Sequence, residues 1–163
     1  MSDFLYPQSW IRTIYKPYIE FKKFSINNIH GKSPGLLLEA FGKPDYSHRE
    51  HLCYFNLGLE FLAYTTCIPY IYIHVRPHNR PYLEDISCQF QAFPGDFLYD
   101  GKPIDRSLLQ NCDALIESFN DPRFRLYNKE TNQAAYIEEI NGKRERTVVF
   151  SYQEYSLDLI ILY

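Results

Sequence analysis

The fold is decided by a ten-residue stretch that reads Leu36-Leu37-Leu38-Glu39-Ala40-Phe41-Gly42-Lys43-Pro44-Asp45. Its apolar spacing predicts a short helix over residues 34–41. Gly42 can adopt the left-handed conformation that ends a helix, and Pro44 prevents further propagation. A second stretch has the same exit and reads Ala114-Leu115-Ile116-Glu117-Ser118-Phe119-Asn120-Asp121-Pro122-Arg123. Asn120 also adopts that conformation readily, so a second helix is predicted over residues 107–119.

Alternating segments and short apolar runs predict β-strands around both helices. They cover residues 18–26, 52–56, 59–65, 68–75, 82–90, 97–104, 123–128, 134–140, 146–152 and 157–162. Asp100-Gly101 and Asn141-Gly142 predict tight hairpin turns. Pro103 lacks an N–H group, which confines its strand to a sheet edge. The nearly all-apolar segment 157–162 is predicted to lie inside the sheet.

The matched helix exits predict an internal repeat. A second pair of similar segments follows the helices, namely Gly58-Leu59-Glu60-Phe61-Leu62 and Ser156-Leu157-Asp158-Leu159-Ile160. Because two blocks match in the same order, we predict an α+β fold in which two tandem helix-plus-antiparallel-sheet repeats form one compact domain. Residues 1–17 are predicted to be an N-terminal arm or short helix, 18–106 the first repeat and 107–163 the second. The alternative is chance similarity, since this helix exit is common.

Composition excludes several classes of function. The net charge of −3 over 163 residues gives no electrostatic basis for binding nucleic acid or an anionic membrane. The chain shows no signal peptide and no apolar run of about 18 residues, so a cytoplasmic protein with reduced cysteines is expected. The 15 Tyr and 12 Phe residues indicate either an aromatic-rich sheet core or tyrosine anchors at a protein interface.

Catalytic and metal-binding motifs are weak. His48, His51 and Cys53 have ligand-like spacing, as do His74 and His78, but no second tight pair completes a zinc site. Surface histidines are therefore predicted, with no metal and no cofactor. The remaining patterns also argue against an enzyme. Cys112 is predicted to lie inside the second helix on its apolar stripe, which indicates an inert core thiol. The sequence contains no glycine-rich phosphate loop.

Acidic residues are concentrated between residues 84 and 121, where eight carboxylates accompany two basic residues. This segment indicates either ordinary solvated surface or a patch that meets a basic cleft of a protein partner. The predicted partner-binding residues are Asp96, Phe97, Tyr99, Asp100 and Asp105. The alternative faces are the loop 76–82 and the segment 152–155.

Several motifs resemble those of small bacterial immunity proteins of polymorphic or secretion-delivered toxin systems. They are Phe41-Gly42-Lys43-Pro44, Leu57-Gly58-Leu59-Glu60-Phe61 and the segment 93–105, which reads Phe-Pro-Gly-Asp-Phe-Leu-Tyr-Asp-Gly-Lys-Pro-Ile-Asp. The tandem layout over residues 18–163 is similar to that of the β-lactamase inhibitor protein and a related outer-membrane assembly lipoprotein. The resemblance implies a stoichiometric inhibitor that occludes a toxin's active site. The alternatives are a small-molecule-binding domain or small enzyme that uses an aromatic-lined sheet face, or a subunit of a larger assembly. The oligomeric state stays open.

Overall fold

The computed structural model describes residues 17–21, 24–77, 89–128, 130, 132–140, 142–153 and 156–163. The helices are α1 (Gly35–Phe41), α2 (Arg106–Leu109) and α3 (Cys112–Phe119), with 3₁₀ turns at Ile26–Ile29 and Phe55–Leu57. The first strands are β1 (Pro17–Phe21), β2 (Phe24–Ser25), β3 (Tyr46–His48), β4 (His51–Tyr54), β5 (Leu59–Leu62) and β6 (Tyr70–His74). The later strands are β7 (Asp96–Tyr99), β8 (Lys102–Pro103), β9 (Phe124–Asn128), β10 (Gln133–Ile140), β11 (Lys143–Gln153) and β12 (Ser156–Leu162).

These strands form two antiparallel sheets. The small sheet has the order β2-β1-β7-β8, and the large sheet has the order β3-β4-β5-β6-β12-β11-β10-β9. Strands β6 and β12 meet at the centre of the large sheet, where Ile73 lies opposite Ile160. The interior position predicted for segment 157–162 is therefore confirmed.

The mixture of helices and antiparallel sheets confirms the predicted α+β class. No helix in the described ranges is long and apolar enough to cross a membrane. The predicted N-terminal arm, apart from Pro17, and most of the predicted strand 82–90 lie outside the described residues.

Helix α1 forms where the apolar spacing predicts it. Leu37 and Ala40 are buried in the main core, whereas Leu38 points to solvent with 55% of its surface exposed. The N–H of Gly42 donates to the carbonyl of Leu38, and the φ angle of Gly42 is +75°, a value that favours glycine. The chain therefore leaves α1 at the predicted residue.

The prediction of one continuous helix over residues 107–119 is wrong. The structure has α2 and α3 instead, separated by Gln110 and Asn111. Asn111 has extended backbone angles, and its side chain accepts a hydrogen bond from the N–H of Ala114. This side-chain cap starts a new helix and explains the break. The exit is as predicted, since Asn120 adopts the left-handed conformation with φ and ψ of 45° and 41°.

Both faces of the first half of the large sheet are covered. Leu59 lies opposite Ile73, and Phe61 lies opposite Ile71, so all four side chains share one face, where they are fully buried in the main core. On the other face, three buried residues form a smaller cluster, namely Cys53, Phe55 and Phe90. Glu60 and His74 lie on this second face and are buried with it.

Gly58 fixes how the chain passes from the large sheet to the small one. Its φ angle is +60°, and a Cβ atom there would come within 2.3 Å of the Gln91 carbonyl oxygen and 2.7 Å of the Phe93 nitrogen. Gln91 N donates to Phe55 O at 2.9 Å, and Phe93 N donates to His74 O at 2.8 Å. Glycine is required here because two backbones touch, and this contact sets the position from which β7 begins.

Candidate functional site

The predicted partner-binding residues lie on and around the hairpin formed by β7 and β8. Its turn consists of Asp100 and Gly101, whose φ angles are +51° and +76°, as a two-residue hairpin turn of this type requires. Leu98 pairs with Pro103. Strand β8 is the outermost strand of the small sheet, so the predicted hairpin and its edge position are both confirmed.

Three of the predicted residues carry exposed carboxylates, namely Asp96, Asp100 and Asp105. The side-chain carboxylates of Asp96 and Asp100 form no hydrogen bond or ion pair with any described residue. Asp105 instead accepts hydrogen bonds from the N–H and hydroxyl of Ser107 at 2.8 and 2.7 Å. These bonds hold the pKa of Asp105 below its usual value and cap α2. Asp105 thus has a structural role as well as an exposed charge.

A fourth carboxylate, on Glu20, belongs beside these three. Glu20 in β1 lies directly opposite Asp96 in β7, so their side chains project from the same face of the small sheet. Like charges directly opposite each other on antiparallel strands are destabilising. Glu20 was not predicted from the sequence, because the pairing of β1 with β7 joins distant parts of the chain. We call Glu20, Asp96, Asp100 and Asp105 the acidic surface.

The prediction that Phe97 contacts a partner is wrong for the folded protein. Phe97 is only 4% exposed and belongs to the main core. Its ring lies 5.8 Å from that of Phe93, and it lies directly opposite Ile19 of β1. The Arg106 guanidinium lies 5.5 Å from the ring centroid. Phe97 therefore lies on the face of β7 that points into the core.

Tyr99 is half-buried and held on several sides. Its ring stacks on Phe119 at 3.8 Å, and its hydroxyl donates to Asp121 at 2.7 Å. Arg123 binds both carboxylate oxygens of Asp121, and its guanidinium lies 5.2 Å from the ring centroid of Tyr136. Burial, together with the hydrogen bond to Asp121, raises the pKa of Tyr99 well above its usual value. The predicted contact residue is therefore preorganised.

A buried carboxylate lies between two histidines on the second face of the large sheet. Glu60 is fully buried, and its Oε1 lies 2.6 Å from Nδ1 of His51, while its Oε2 lies 3.4 Å from Nε2 of His74. The His74 ring is fully buried as well and stacks on Phe90 at 4.0 Å. The expectation of surface histidines is therefore wrong for His74, which lies on a sheet face that a distant aromatic residue covers.

A buried carboxylate is costly unless groups that donate to it or carry the opposite charge lie beside it, and here both neighbours are imidazole rings. The sequence does contain a signal for this site, because Glu60 is the single carboxylate within the apolar strand Leu59–Leu62. Among the described residues, no three His, Cys, Asp or Glu side chains are grouped to hold a metal ion. His78, from the predicted ligand-like pair, lies outside the described residues.

A cavity of about 290 Å³ opens at the start of α3. Its walls are formed by Gln110, Asn111, Cys112, Asp113, Asn132 and Tyr152. Cys112 lies in a helix as predicted, although as the first residue of α3, and its side chain packs partly buried against the main core. Burial and the neighbouring Asp113 raise the pKa of the Cys112 thiol to about 11. The thiol is therefore protonated at neutral pH and is a poor nucleophile.

The two alternative binding faces are only partly described, and in the loop 76–82 Arg76 is half-buried and Pro77 is exposed. Tyr152 is only 5% exposed. Glu154, Tyr155 and residues 78–82 lie outside the described residues. Cys53, Cys67 and Cys112 form no disulfide bond with a described residue, and Cys88 lies outside the described residues.

Comparison of the chain with models of protein families, with curated proteins and with solved structures gave no match in any of the three.

Proposed function

We propose that this chain is a cytoplasmic, non-enzymatic protein-binding module of the immunity type, which neutralises a bacterial toxin by occluding its active site. The observation that carries the proposal is the acidic surface. Glu20, Asp96 and Asp100 form no ion pair with any described residue. A rigid hairpin with uncompensated carboxylates is suited to a basic cleft, of the kind that a toxin acting on a polyanion would have.

The Glu20–Asp96 pair favours the binding of a basic partner to this surface. In the free protein the two carboxylates repel each other across the strands. A basic side chain of a partner, placed between them, would remove that repulsion and add attraction in its place. Binding energy gained in this way is absent when a neutral surface docks, so the arrangement favours basic partners over others.

Rigidity supports the same proposal. The Asp100-Gly101 turn has one favoured backbone form, and Tyr99 is fixed by Phe119 and Asp121. Ordering flexible loops and side chains on docking costs free energy, and this hairpin has little left to order. We therefore propose Asp96, Tyr99, Asp100 and Asp105, with Glu20, as the partner-binding residues.

We further propose that the large sheet is built from two tandem repeats. Each half consists of a helix followed by a four-stranded meander, α1 with β3 to β6 and α3 with β9 to β12. Both helices end at a residue with positive φ, Gly42 or Asn120. The second block of sequence similarity gives no support, because its segments fall on β5 and β12, the third strand of one meander and the fourth of the other. A solved structure in which the two halves fail to superimpose would refute the repeat.

The test of function begins with the reading frames next to this gene in its source genome. Each is expressed with and without the chain, and we expect one to stop growth and the chain to restore it. Purified toxin and chain should then form a one-to-one complex by calorimetry. If no neighbouring frame is toxic, or if the toxic product does not bind the chain, the immunity proposal fails.

The binding surface is tested with the double variant Asp96→Asn/Asp100→Asn. Asn tolerates the positive φ at position 100, so the turn is kept while two charges are removed. The control Glu39→Gln/Glu50→Gln makes the same change in net charge at exposed positions on α1 and the β3–β4 turn. We expect association to slow by on the order of tenfold at low salt for the first variant only, with a smaller effect at high salt. Equal rates for both variants would place the binding surface elsewhere.

A further inference from the structure

Strand β9 is the longest edge strand among the described residues. It lies at one end of the large sheet, has five residues (Phe124–Asn128) and is paired only with β10 in the described part of the chain. The other edge strands are β2 and β8, with two residues each, and β3, with three. Short edge strands, and a proline such as Pro103 in β8, protect a sheet from pairing with another chain. Strand β9 has neither of these protections.

We propose that β9 is a second interaction surface, at which an extended segment of a partner protein adds a strand to the large sheet. The segment carries an apolar side chain opposite Leu126 and a carboxylate opposite Arg125. The proposal does not depend on the immunity function, because β9 belongs to the large sheet and presents a basic side chain instead of an acidic one.

The backbone of β9 supplies the hydrogen-bonding groups. Ile137 N donates to Arg123 O at 2.8 Å, so the Arg123 carbonyl points toward β10. The pairing with β10 is regular over residues 124–126, and successive residues of a strand alternate in the direction of these groups. The N–H and C=O groups of Leu126 therefore point away from β10, toward the open edge. A bulge follows at Tyr127, so a partner pairs with the part of β9 before it.

Leu126 supplies an apolar contact. It lies at the end of a row of side chains that face one another across six strands of the large sheet. The other members of the row are at most 2% exposed, namely Ala134, Phe150, Ile160, Ile73 and Leu59. Leu126 itself is 43% exposed, because no described strand lies beyond β9. An apolar side chain on an added strand would extend the row by one position and bury Leu126.

Charge determines which partner fits. Arg125 is exposed on the opposite face of β9 from Leu126 and forms no ion pair with a described residue. If two copies of this chain paired antiparallel through β9, Leu126 would lie opposite Leu126 or Phe124 of the second copy. Arg125 would then lie diagonal to Arg125 of the second copy or directly opposite it, where like charges are destabilising. A carboxylate opposite Arg125 forms a favourable pair instead, so the observations favour a partner with acidic residues over a second copy.

The test is a titration of the isotope-labelled chain, followed by NMR, with a blocked hexapeptide in which valine alternates with glutamate. Its valines match Leu126 on one face, and its glutamates match Arg125 on the other. We expect an affinity on the order of 100 µM. The Leu126 amide should exchange rapidly with solvent in the free chain and become protected when the peptide binds. The same peptide with N-methylated valines should not bind, because it lacks the N–H groups that face β9.

Variants of the chain test the two side chains. Arg125→Gln should weaken binding by about threefold, as expected for the loss of one cross-strand charge pair. Arg144→Gln, the same change at another exposed arginine, should have no effect. Leu126→Pro removes the outward N–H but no hydrogen bond to β10, so it should abolish binding. Circular dichroism checks that this variant is folded, and Arg125→Gln with the N-methylated peptide decides the result if it is not.

Four outcomes would overturn the inference. The first is no binding at about 1 mM peptide, and the second is equally tight binding of a peptide in which valine alternates with lysine. The third is equal weakening by Arg144→Gln and Arg125→Gln. The fourth is a dimer of the chain alone in which the Leu126 amide is already protected, since a second copy would then occupy the edge.

Discussion

Replacement of Phe97 by alanine distinguishes a core position for this residue from a position at a binding surface. Its position beside the acidic residues in the sequence predicted a place at a binding surface, whereas the structure places it in the core at 4% exposure. Its ring packs on Phe93, faces the guanidinium of Arg106 and lies opposite Ile19. Truncating a buried phenylalanine removes its transfer free energy and leaves a cavity, a loss of about 3–5 kcal/mol. We expect Phe97→Ala to lower the free energy of unfolding by that amount.

The measurement is urea denaturation followed by circular dichroism. For an unfolding slope of about 2 kcal/mol per molar urea, the midpoint should fall by about 2 M. The matched control is Leu126→Ala, since Leu126 is also in a strand but is 43% exposed, and it should cost less than about 1 kcal/mol. If Phe97→Ala unfolds at the same urea concentration as the control, the core assignment of β7 is refuted.

Three further predictions concern other elements. Gly58→Ala should destabilise the protein by at least about 3 kcal/mol in urea denaturation, because its Cβ would strike the Gln91 carbonyl oxygen at 2.3 Å; a loss below about 1 kcal/mol, the cost of positive φ alone, would contradict the contact. Asp105→Ala should lower the urea midpoint of unfolding, and Asp105→Asn should lower it much less, since Asn also caps helices; equal decreases would show that the carboxylate charge matters rather than the cap. Burial lowers the pKa of His30 below 6.5, so the unfolded chain binds a proton more readily, and stability should be complete above pH 6.5 and fall below it. The free energy of unfolding is measured at about pH 7.5 and 5.5. His30→Gln retains a donor for the Pro69 carbonyl and should lose less stability than the parent between these two values. An equal loss would show that the burial of His30 does not cause the fall in stability.

Local signals in the sequence predicted local structure well. The Asp100-Gly101 turn, the edge position of Pro103 and the exit at Gly42 depend on backbone preferences of a few adjacent residues, and all three are found. The break before α3 is also local, but Asn111 sits within an apolar stripe at helical spacing, so its capping role was hidden. Hydrophobic periodicity alone does not distinguish one amphipathic helix from two consecutive ones on the same face.

The burial of the candidate site residues could not be predicted, because it depends on contacts between distant segments. Phe97 is inward because β7 pairs with β1, whose Ile19 lies opposite it. His74 is inward because Phe90, which lies further along the chain, covers the second face of the large sheet. Period-two alternation places residues on two faces but does not say which face is covered. Glu20 joins the acidic surface for the same reason.

The pairing of β6 with β12 has a consequence for how the protein is made. Every other ladder between described strands lies within residues 17–103 or within residues 124–162, so each part can pair its own strands early. The ladder between Tyr70–His74 and Ser156–Leu162 can form only after β12, the last of the described strands, has been synthesised. Until β12 leaves the ribosome, β6 is an open edge with the apolar side chains of Ile71 and Ile73 and unsatisfied backbone groups. The nascent chain is therefore most prone to aggregate in that interval, and β12 protects the first half of the molecule from association with its neighbours.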